Sequence, residues 1–408
     1  MNRIKRFLVI ITAFILLCLA LPAPPPIAAQ ETMIIRDPFL SLLSRTPDLR
    51  ATDGVESGVI RYVNFSEIMR VGDGMISSTA SYERSEEQRD AWRGAMRRVA
   101  VAPDFFGSVL TLVSGMVESV GLDWFDLSAA LEFGAPPNVG VWLDFSSGDY
   151  ASLDREAVAA ALTKRGFEQR AGDGVTVWWR FEDNAISPKE RDVTDPFGGT
   201  LGAAARIQVY EGENAGLVGN ARSWALAETM IATVSGDAAS LIDAPDYAVL
   251  AEAITDSAYI LMPQDDGQRT THLLQVYIIP GTVGAIIDAP EGEALPPYSL
   301  VALVDRQERS LNVHAIVLVY PTAEDAARAK DILGARLKVA LPERLVSENK
   351  VDFDAPYVHT RPDGWSAVVV GVRYPSPEEG SPTQPGLVYM YMDAQLNRLT
   401  FTPIGLKP

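Results

Sequence analysis

The chain is almost free of cysteine. It has 408 residues and one cysteine, Cys18, which lies in an apolar run close to the N-terminus. The remainder of the chain can form no disulfide and offers no thiolate as a nucleophile or metal ligand. Small extracellular domains depend on disulfides because their cores are small, but a chain of this length buries enough apolar surface without them. Folding must therefore rest on packing.

Histidine is also scarce. The three histidines are His272, His314 and His359, and none has another histidine or a cysteine within four residues. A zinc site needs clustered imidazoles or thiolates, so we predict no metal and no cofactor. His314 lies in the apolar run SLNVHAIVLVY and is expected to be a core residue.

The familiar catalytic motifs are missing as well. The chain has no G-x-S-x-G elbow, no phosphate-binding loop and no dinucleotide-binding glycine pattern. A Ser-His-Asp triad does not depend on sequence order, and pairs of carboxylates arise by chance among 53 acidic residues. The sequence therefore assigns no catalytic residue and leaves open whether the protein is an enzyme.

Basic residues are outnumbered by acidic ones. Lysine and arginine total 35 against 53 aspartates and glutamates, which gives a formal net charge of −18. Binding of nucleic acid needs a basic surface, and so does attraction to an anionic membrane, so we predict neither. The acidity is best explained by solubility outside the cell, with diffuse capture of cations as a weaker alternative.

The N-terminus has the composition of an export signal. Three basic residues precede an apolar run of 15 residues, Phe7 to Leu21, and small residues follow in PAPPPIAAQ. A membrane-spanning helix needs about 20 residues, so we expect cleavage near Ala29, which changes the net charge from −18 to −21. The alternatives are an uncleaved anchor, which would be the one membrane contact, and a lipid-modified Cys18. We predict a protein that is secreted or lies on the extracytoplasmic face of the cell envelope.

Apolar periodicity predicts strands separated by a few helices. Two helices are bounded most clearly. One runs from Asp154, a capping residue, to Gly166, and the other from Thr322 to Leu337, with a capping box of Thr322 and Asp325. Many strands follow one another with no helix between them, which favours hairpins. The sequence thus predicts an α+β fold of largely antiparallel sheets with helices packed on one face.

Two strand-helix-strand stretches suggest an internal duplication. The first joins NVGVWLDF to VTVWWRF, and the second joins LNVHAIVLVY to SAVVVGVRY. We expect a signal peptide over residues 1–29, a first α+β domain over 30–255 and a second over 256–408. The alternative is chance, because strand-helix-strand units are common in mixed folds.

The polar segment RDVTDPFGGTLG, Arg191 to Gly202, is a candidate binding loop. Asp192 and Asp195 are its candidate contact residues, but their spacing and the following Pro196 do not match the D-x-D-x-D-G pattern of a calcium loop. Asp-Pro and Gly-Gly favour turns, and long loops are often functional. We interpret the segment first as a structural turn, second as a ligand or partner contact and third as a metal site.

The tryptophan pair Trp178–Trp179 lies on a predicted strand, where neighbouring side chains point to opposite faces. At least one of the two is expected to lie in the core. The other is either packed as well or exposed, where it could stack on a sugar. We retain Trp178 as a candidate ligand contact.

The middle of the chain resembles a known group of sequences. The stretches are GLDWFDLSAALEFGAPPNVGVWLDF, REAVAAALTKRGFE, GVTVWW, DPFGGTLG and NARSWALAETMIATVSGD, between about Gly121 and Asp237. In order and spacing they resemble an uncharacterised family of exported proteins from filamentous bacteria of the Chloroflexi type. The resemblance implies export and a globular α+β body, and it implies no substrate, cofactor or catalytic residue.

Two functions from different classes follow as hypotheses. The first is a non-enzymatic binding or interaction protein of the cell envelope with an unknown partner, and it rests on export, acidity and the missing catalytic motifs. The second is an extracellular hydrolase with a carboxylate site between the two halves. Convergent acidic side chains with raised pKa values in a cleft would favour the hydrolase, and an apolar surface patch would favour the binding protein.

Overall fold

The computed structural model describes residues 37–51, 58–72, 76, 78–99, 103, 113–147, 150–151, 153–255, 271–281, 294–308, 311–340 and 352–375. The predicted signal peptide over residues 1–29 lies outside these ranges. Three apolar runs for which the sequence also predicts strands, AYILM, LVYMYMD and RLTFTP, lie outside them as well. Among the described residues, no helix is both long enough and apolar enough to cross a membrane.

The described ranges contain nine helices and fifteen strands. The helices are α1 (Pro38–Leu43), α2 (Phe65–Val71), α3 (Thr79–Arg84), α4 (Glu86–Met96), α5 (Val113–Val120), α6 (Arg155–Lys164), α7 (Trp224–Val234), α8 (Pro245–Thr255) and α9 (Ala323–Ala340). The strands are β1 (Ile60–Asn64), β2 (Ala129–Ala135), β3 (Asn138–Asp144), β4 (Ser146–Ser147), β5 (Tyr150–Ala151), β6 (Glu168–Ala171), β7 (Val175–Arg180), β8 (Ala205–Tyr210), β9 (Leu217–Ala221), β10 (Thr271–Pro280), β11 (Leu300–Glu308), β12 (Leu311–Tyr320), β13 (Asp352–Phe353), β14 (Tyr357–Thr360) and β15 (Ser366–Pro375).

Thirteen of these strands form one sheet. Its order is β13-β15-β12-β11-β10-β1-β2-β3-β9-β8-β7-β6, with β14 beside β15. All of its pairings are antiparallel. Neighbours such as β2 and β3 are joined by a turn of two residues, which only an antiparallel pair allows. The fold is α+β with an antiparallel sheet, as the sequence predicts.

Helices cover both faces of the sheet, which corrects the prediction of helices on one face. In β12, Val317 belongs to a core that contains buried residues of α1, α7 and α8, whereas Ile316 belongs to a core with α9 on the opposite face. On that opposite face, a further core packs α2, α4, α5 and α6 against the other half of the sheet. Strands β8 and β9 are buried at every position, and such strands need cover on both sides.

The sheet is continuous across the predicted boundary between residues 255 and 256. Strand β1 of the first half pairs with β10 of the second, with Ile60 opposite Ile278 and Tyr62 opposite Val276. In each half, three strands that follow one another in the chain lie side by side, β1-β2-β3 and β10-β11-β12, and a later strand returns to pair with the third. In the first half, α2 to α5 lie between β1 and β2, and β4 to β8 with α6 precede the returning strand. The returning strands are β9 and β15, so β9, rather than the β7 of our sequence comparison, is the counterpart of β15.

The two helices predicted from capping signals are confirmed. Asp154 Oδ1 accepts the Ala157 N–H at 2.9 Å at the start of α6, and Gly166 follows its end with a φ of +76°. Thr322 Oγ1 accepts the Asp325 N–H at 3.1 Å at the start of α9. Each helix lies between strands and packs apolar side chains on the sheet.

Candidate functional site

The connection from β7 to β8, residues 181–204, is long for a link between two neighbouring strands. Arg180 at the end of β7 pairs directly with Ala205 at the start of β8, so a tight turn would be enough to join them. The chain instead inserts a loop that contains the candidate residues Asp192 and Asp195. Loops longer than about 12–15 residues in compact domains are often functional. We call this segment the β7–β8 loop.

Asp195 connects the loop to the C-terminal end of α6 through an ion pair with Arg165. Its side chain is almost fully buried, and its Oδ2 accepts a hydrogen bond from Arg165 Nη2 at 2.8 Å. Its Oδ1 accepts the Phe197 N–H at 2.7 Å. Burial raises the pKa of Asp195, and the Arg165 guanidinium opposes that shift. The carboxylate is therefore engaged inside the protein on both oxygens.

Asp192 also forms an ion pair with Arg165, but its side chain is more exposed to solvent than that of Asp195. Its Oδ2 is 3.3 Å from Arg165 Nη2, and its Oδ1 accepts hydrogen bonds from the N–H and hydroxyl of Thr194 at 2.9 and 2.6 Å. These hydrogen bonds and the Arg165 charge lower the pKa of Asp192 against the opposing effect of burial. The structure thus brings Asp192 and Asp195 together on one guanidinium, where both hold the turn.

Two glycines permit the close path of the loop. A Cβ on Gly199 would lie 2.3 Å from the Asp195 Cβ and 2.4 Å from the Asp192 backbone oxygen. Gly202 has a φ of +63°, and a Cβ there would lie 2.1 Å from the Ser187 backbone oxygen. Because Gly199 and Gly202 have no side chain, the two sides of the loop can approach each other closely at these positions.

Further contacts fix the loop on the body of the protein. Ile186 forms a β-bridge with Ala203, which closes the base of the loop. The Ser119 hydroxyl of α5 donates to the Thr194 backbone oxygen at 2.9 Å. Phe197 is 2% exposed and packs in the core beneath α5 and α6. Ion pair, bridge and buried ring together give the loop one defined conformation.

The outer side of the loop presents large aliphatic side chains to solvent. Ile186 is 58% exposed, Val193 50% and Leu201 45%. In the described part of the chain, one other large hydrophobic residue is exposed, Val117 of α5, and Gly115 of the same helix, two residues earlier, lies close to Thr194. Exposed aliphatic residues are therefore concentrated on this loop and the helix next to it.

Trp178 lies in the core beneath the loop. It is 6% exposed and shares its core with Phe197. Of the two residues of the tryptophan pair, Trp178 is thus one that lies in the core. Its neighbour Trp179 points to the other face, where the guanidinium of Arg206 lies 5.6 Å from its ring centroid and 5.1 Å from that of Trp224. Arginine thus already covers a face of each of these two rings.

Arg180 differs from its charged neighbours. Arg165 holds Asp195, and Arg206 holds Asp183 at 2.6 Å. Arg180 has no ion-pair partner among the described residues, and its one hydrogen bond is a long contact of 3.5 Å to the Arg165 backbone oxygen. Burial, followed by the charge of Arg165, lowers the pKa of Arg180. The sequence contains no signal that separates this arginine from the other two.

A second polar cluster lies in the middle of the sheet, away from the loop in sequence. Arg98 Nη2 is 3.1 Å from Asp305 Oδ1, and Gln275 Nε2 donates to Asp305 Oδ2 at 3.0 Å. His314 lies across from Asp305 on β12 and is 1% exposed, so the prediction of a core histidine is confirmed. Asp305 is enclosed and paired with Arg98, which follows α4. This ion pair therefore connects α4 to the sheet.

A metal site finds no support within the described ranges, where no group of three histidine, cysteine or carboxylate side chains is arranged to hold an ion. The candidate carboxylates Asp192 and Asp195 are engaged by Arg165 instead.

Comparison with known proteins adds little. No family model and no curated protein matches the chain. A similar solved structure is that of TP0453 in crystal form I, which is 8% identical and has a TM-score of 0.30 over 82% of this chain and 92% of that chain. A likeness this weak carries no argument about fold or function.

Proposed function

We propose that the protein is an exported, non-enzymatic interaction protein of the cell envelope and that the β7–β8 loop is its binding surface. The observation that carries the proposal is the concentration of exposed aliphatic side chains on this loop, with Ile186, Val193 and Leu201 each about half exposed. Clustered exposed apolar side chains mark surfaces that bind other molecules. The export signal predicted from the sequence supports a location at the cell envelope.

The rigidity of the loop supports a binding role. A flexible loop must be ordered when it binds, and that ordering costs free energy. Here the Arg165–Asp195 ion pair and the buried Phe197 ring already hold the loop in place. The aliphatic side chains are therefore presented in a fixed arrangement, and their removal from water can contribute directly to affinity.

The hydrolase alternative lacks a comparable observation. Burial raises the pKa of two strongly buried carboxylates in the described ranges, Asp144 and Asp195. Asp144 accepts the Ser146 N–H at 2.9 Å, and Asp195 accepts the Phe197 N–H, so each holds its own turn. A catalytic acid would instead need to face a space that admits substrate.

The test compares three forms of the mature chain. The first is the wild type, the second carries Ile186→Ser, Val193→Ser and Leu201→Ser, and the third is a control with three exposed alanines replaced by serine. The control substitutions are Ala171→Ser, Ala225→Ser and Ala327→Ser. Each form is cross-linked in an envelope fraction, and the bound molecules are identified by mass spectrometry.

We expect the wild type and the control to retain the same partner and the loop variant to lose at least 90% of it, because its apolar contact area is removed. Equal retention by all three forms would remove the loop as the binding surface. Turnover of an envelope polysaccharide by the wild type would favour the hydrolase instead.

A further inference from the structure

Arg180 is a charged side chain at the base of the proposed binding surface, and no carboxylate among the described residues pairs with it. It ends β7 at the residue where the β7–β8 loop begins. Its Nε is buried without a hydrogen-bond partner among the described residues. In a chain with 53 acidic residues against 35 basic ones, an unmatched guanidinium on a rigid element is a distinctive feature. Nε itself is enclosed, so a ligand would pair with the terminal nitrogens of this half-buried side chain.

Two aromatic rings border this guanidinium. Its carbon Cζ lies 4.5 Å from the ring centroid of Phe181 and 5.0 Å from that of Phe167. Both distances are within the range of cation–π contacts. The rings fix the plane of the guanidinium and exclude water from part of it, which strengthens any hydrogen bond that it makes with an anion.

Phe181 has an unusual backbone conformation. Its φ is +66°, in the left-handed region that bulky residues avoid, and Asn184 in the same loop has a φ of +58°. The Phe181 backbone oxygen accepts a hydrogen bond from Arg206 Nη2 at 2.9 Å, which helps to hold this conformation. Strained residues of this kind cluster at sites that clamp ligands. Phe181, whose backbone is strained, is thus the same residue whose ring lies beside Arg180.

The charges nearby limit the kind of anion that fits. Glu190, Asp192 and Asp195 act on Arg180 through space, and Arg165 adds a positive charge that the two aspartates already share. A doubly charged phosphate is repelled about twice as strongly by these carboxylates as a singly charged carboxylate. A planar carboxylate also matches the flat guanidinium fork between two rings.

We propose that Arg180 anchors a carboxylate of the protein partner that the β7–β8 loop binds. This inference rests on the proposed interaction function and specifies its chemistry. The partner presents an acidic side chain or a chain terminus next to apolar groups. Arg180 pairs with the carboxylate, while the exposed aliphatic side chains of the loop cover the apolar groups. Arginine in a partly desolvated setting is among the commonest anchors of interfaces.

The probe for this site is N-acetyl-leucine, with N-acetyl-leucinamide as its neutral counterpart. Each is titrated into the mature chain labelled with nitrogen-15 on arginine, and the side-chain Nε–H signals are followed by NMR. The Arg180 signal is assigned by its loss in Arg180→Gln. We expect this signal to shift saturably with the carboxylate and not with the amide.

Variants of the anchor and of the loop separate the contributions. Arg180→Gln should weaken binding of N-acetyl-leucine at least tenfold, as monitored by the methyl signals of the probe. Arg180→Lys should bind with intermediate affinity, because it keeps the charge but loses the fork. The melting temperature of Arg180→Gln should stay equal to that of the wild type or rise, since an unpaired, partly buried charge is removed.

Other anions distinguish the source of the carboxylate. Glucuronate and inorganic phosphate are titrated in the same way, and tighter binding of either one would overturn the assignment to a protein carboxylate. Binding that survives Arg180→Gln would overturn the anchor itself. If N-acetyl-leucine does not bind at all but the loop variant still loses its envelope partner, the inference about Arg180 is wrong and the proposed function stands.

Discussion

At the scale of single residues, buried polar groups in this protein are matched by partners that lie far away in the sequence. Asp305 is fully buried on β11, and Arg98, which follows α4, reaches it with two nitrogens at 3.1 and 3.2 Å. Gln275 and His314 complete its surroundings. Removing one partner of such a group would leave the other unsatisfied in the core, which costs more than the pair itself contributes.

We expect His314 to make the stability depend on pH. Burial lowers the pKa of His314 to about 4, with Asp305 opposing the shift and Arg98 adding to it. The unfolded chain, whose histidine titrates near 6.5, then binds the extra proton. The free energy of unfolding therefore rises with pH between about 4 and 6.5, and about 3 kcal/mol of it is lost on acidification to the lower end.

Urea unfolding at pH 4.5 and pH 7.5 tests this for the wild type, His314→Gln and the control His359→Gln. The first variant should show a smaller difference between the two pH values than the wild type. The second leaves His314 and its surroundings in place and should therefore keep the part of the difference that His314 causes. An unchanged difference in His314→Gln would show that this histidine is not the group that titrates.

At the scale of elements, the shape of the β7–β8 loop depends on close backbone approach. The Asp192 N–H donates to the Gly199 oxygen at 2.8 Å, and the Ser187 N–H donates to the Gly202 oxygen at 2.8 Å. These bonds cross the loop and bring its two sides together. The positions of the aliphatic side chains on the outer surface of the loop therefore depend on Gly199 and Gly202, which lie inside it.

We expect Gly199→Ala to destabilise the protein by about 2–3 kcal/mol, because the added methyl group meets the Asp192 backbone oxygen, which cannot move aside. Gly94→Ala is the matched control. Gly94 lies within α4 with open space around its Cβ position, so alanine there should stabilise by about 0.5–1 kcal/mol. Chemical denaturation of both variants measures the difference. A neutral Gly199→Ala would mean that the loop rearranges freely.

At the scale of the whole molecule, the central strand pair decides how far the two halves depend on each other. Strands β1 and β10 meet in the middle of the sheet, and Ile60, Tyr62, Val276 and Ile278 share one core. Helix α8 precedes the predicted boundary but packs on β11, β12 and β15, which follow it. The first half thus supplies part of the cover for the second.

We expect fragments that end and begin at the predicted boundary to require each other. Residues 30–255 alone would expose the edge of β1 and the apolar side of α8, and exposed edges and apolar faces promote aggregation. Co-expression with residues 256–408 should restore a soluble complex that unfolds in one cooperative transition. If residues 30–255 alone form a soluble monomer with a cooperative thermal transition, the halves are independent domains.

The sequence by itself determined the features that depend on neighbours a few residues apart. Asp154 and Thr322 cap their helices through bonds to residues three positions on, and Gly166 ends its helix by its own conformation. Alternating apolar residues likewise predicted the strands and the α+β class, because burial of one strand face leaves a period of two.

Only the tertiary structure decided the features that depend on distant segments. Asp195 is buried against Arg165, thirty residues earlier, and Arg165 also pairs with Asp192, so Arg180 has no carboxylate partner among the described residues. Phe197 of the loop is buried in the core, whereas Ile186, Val193 and Leu201 face solvent. Burial and pairing depend on which distant segments meet, and residue type alone does not encode that choice.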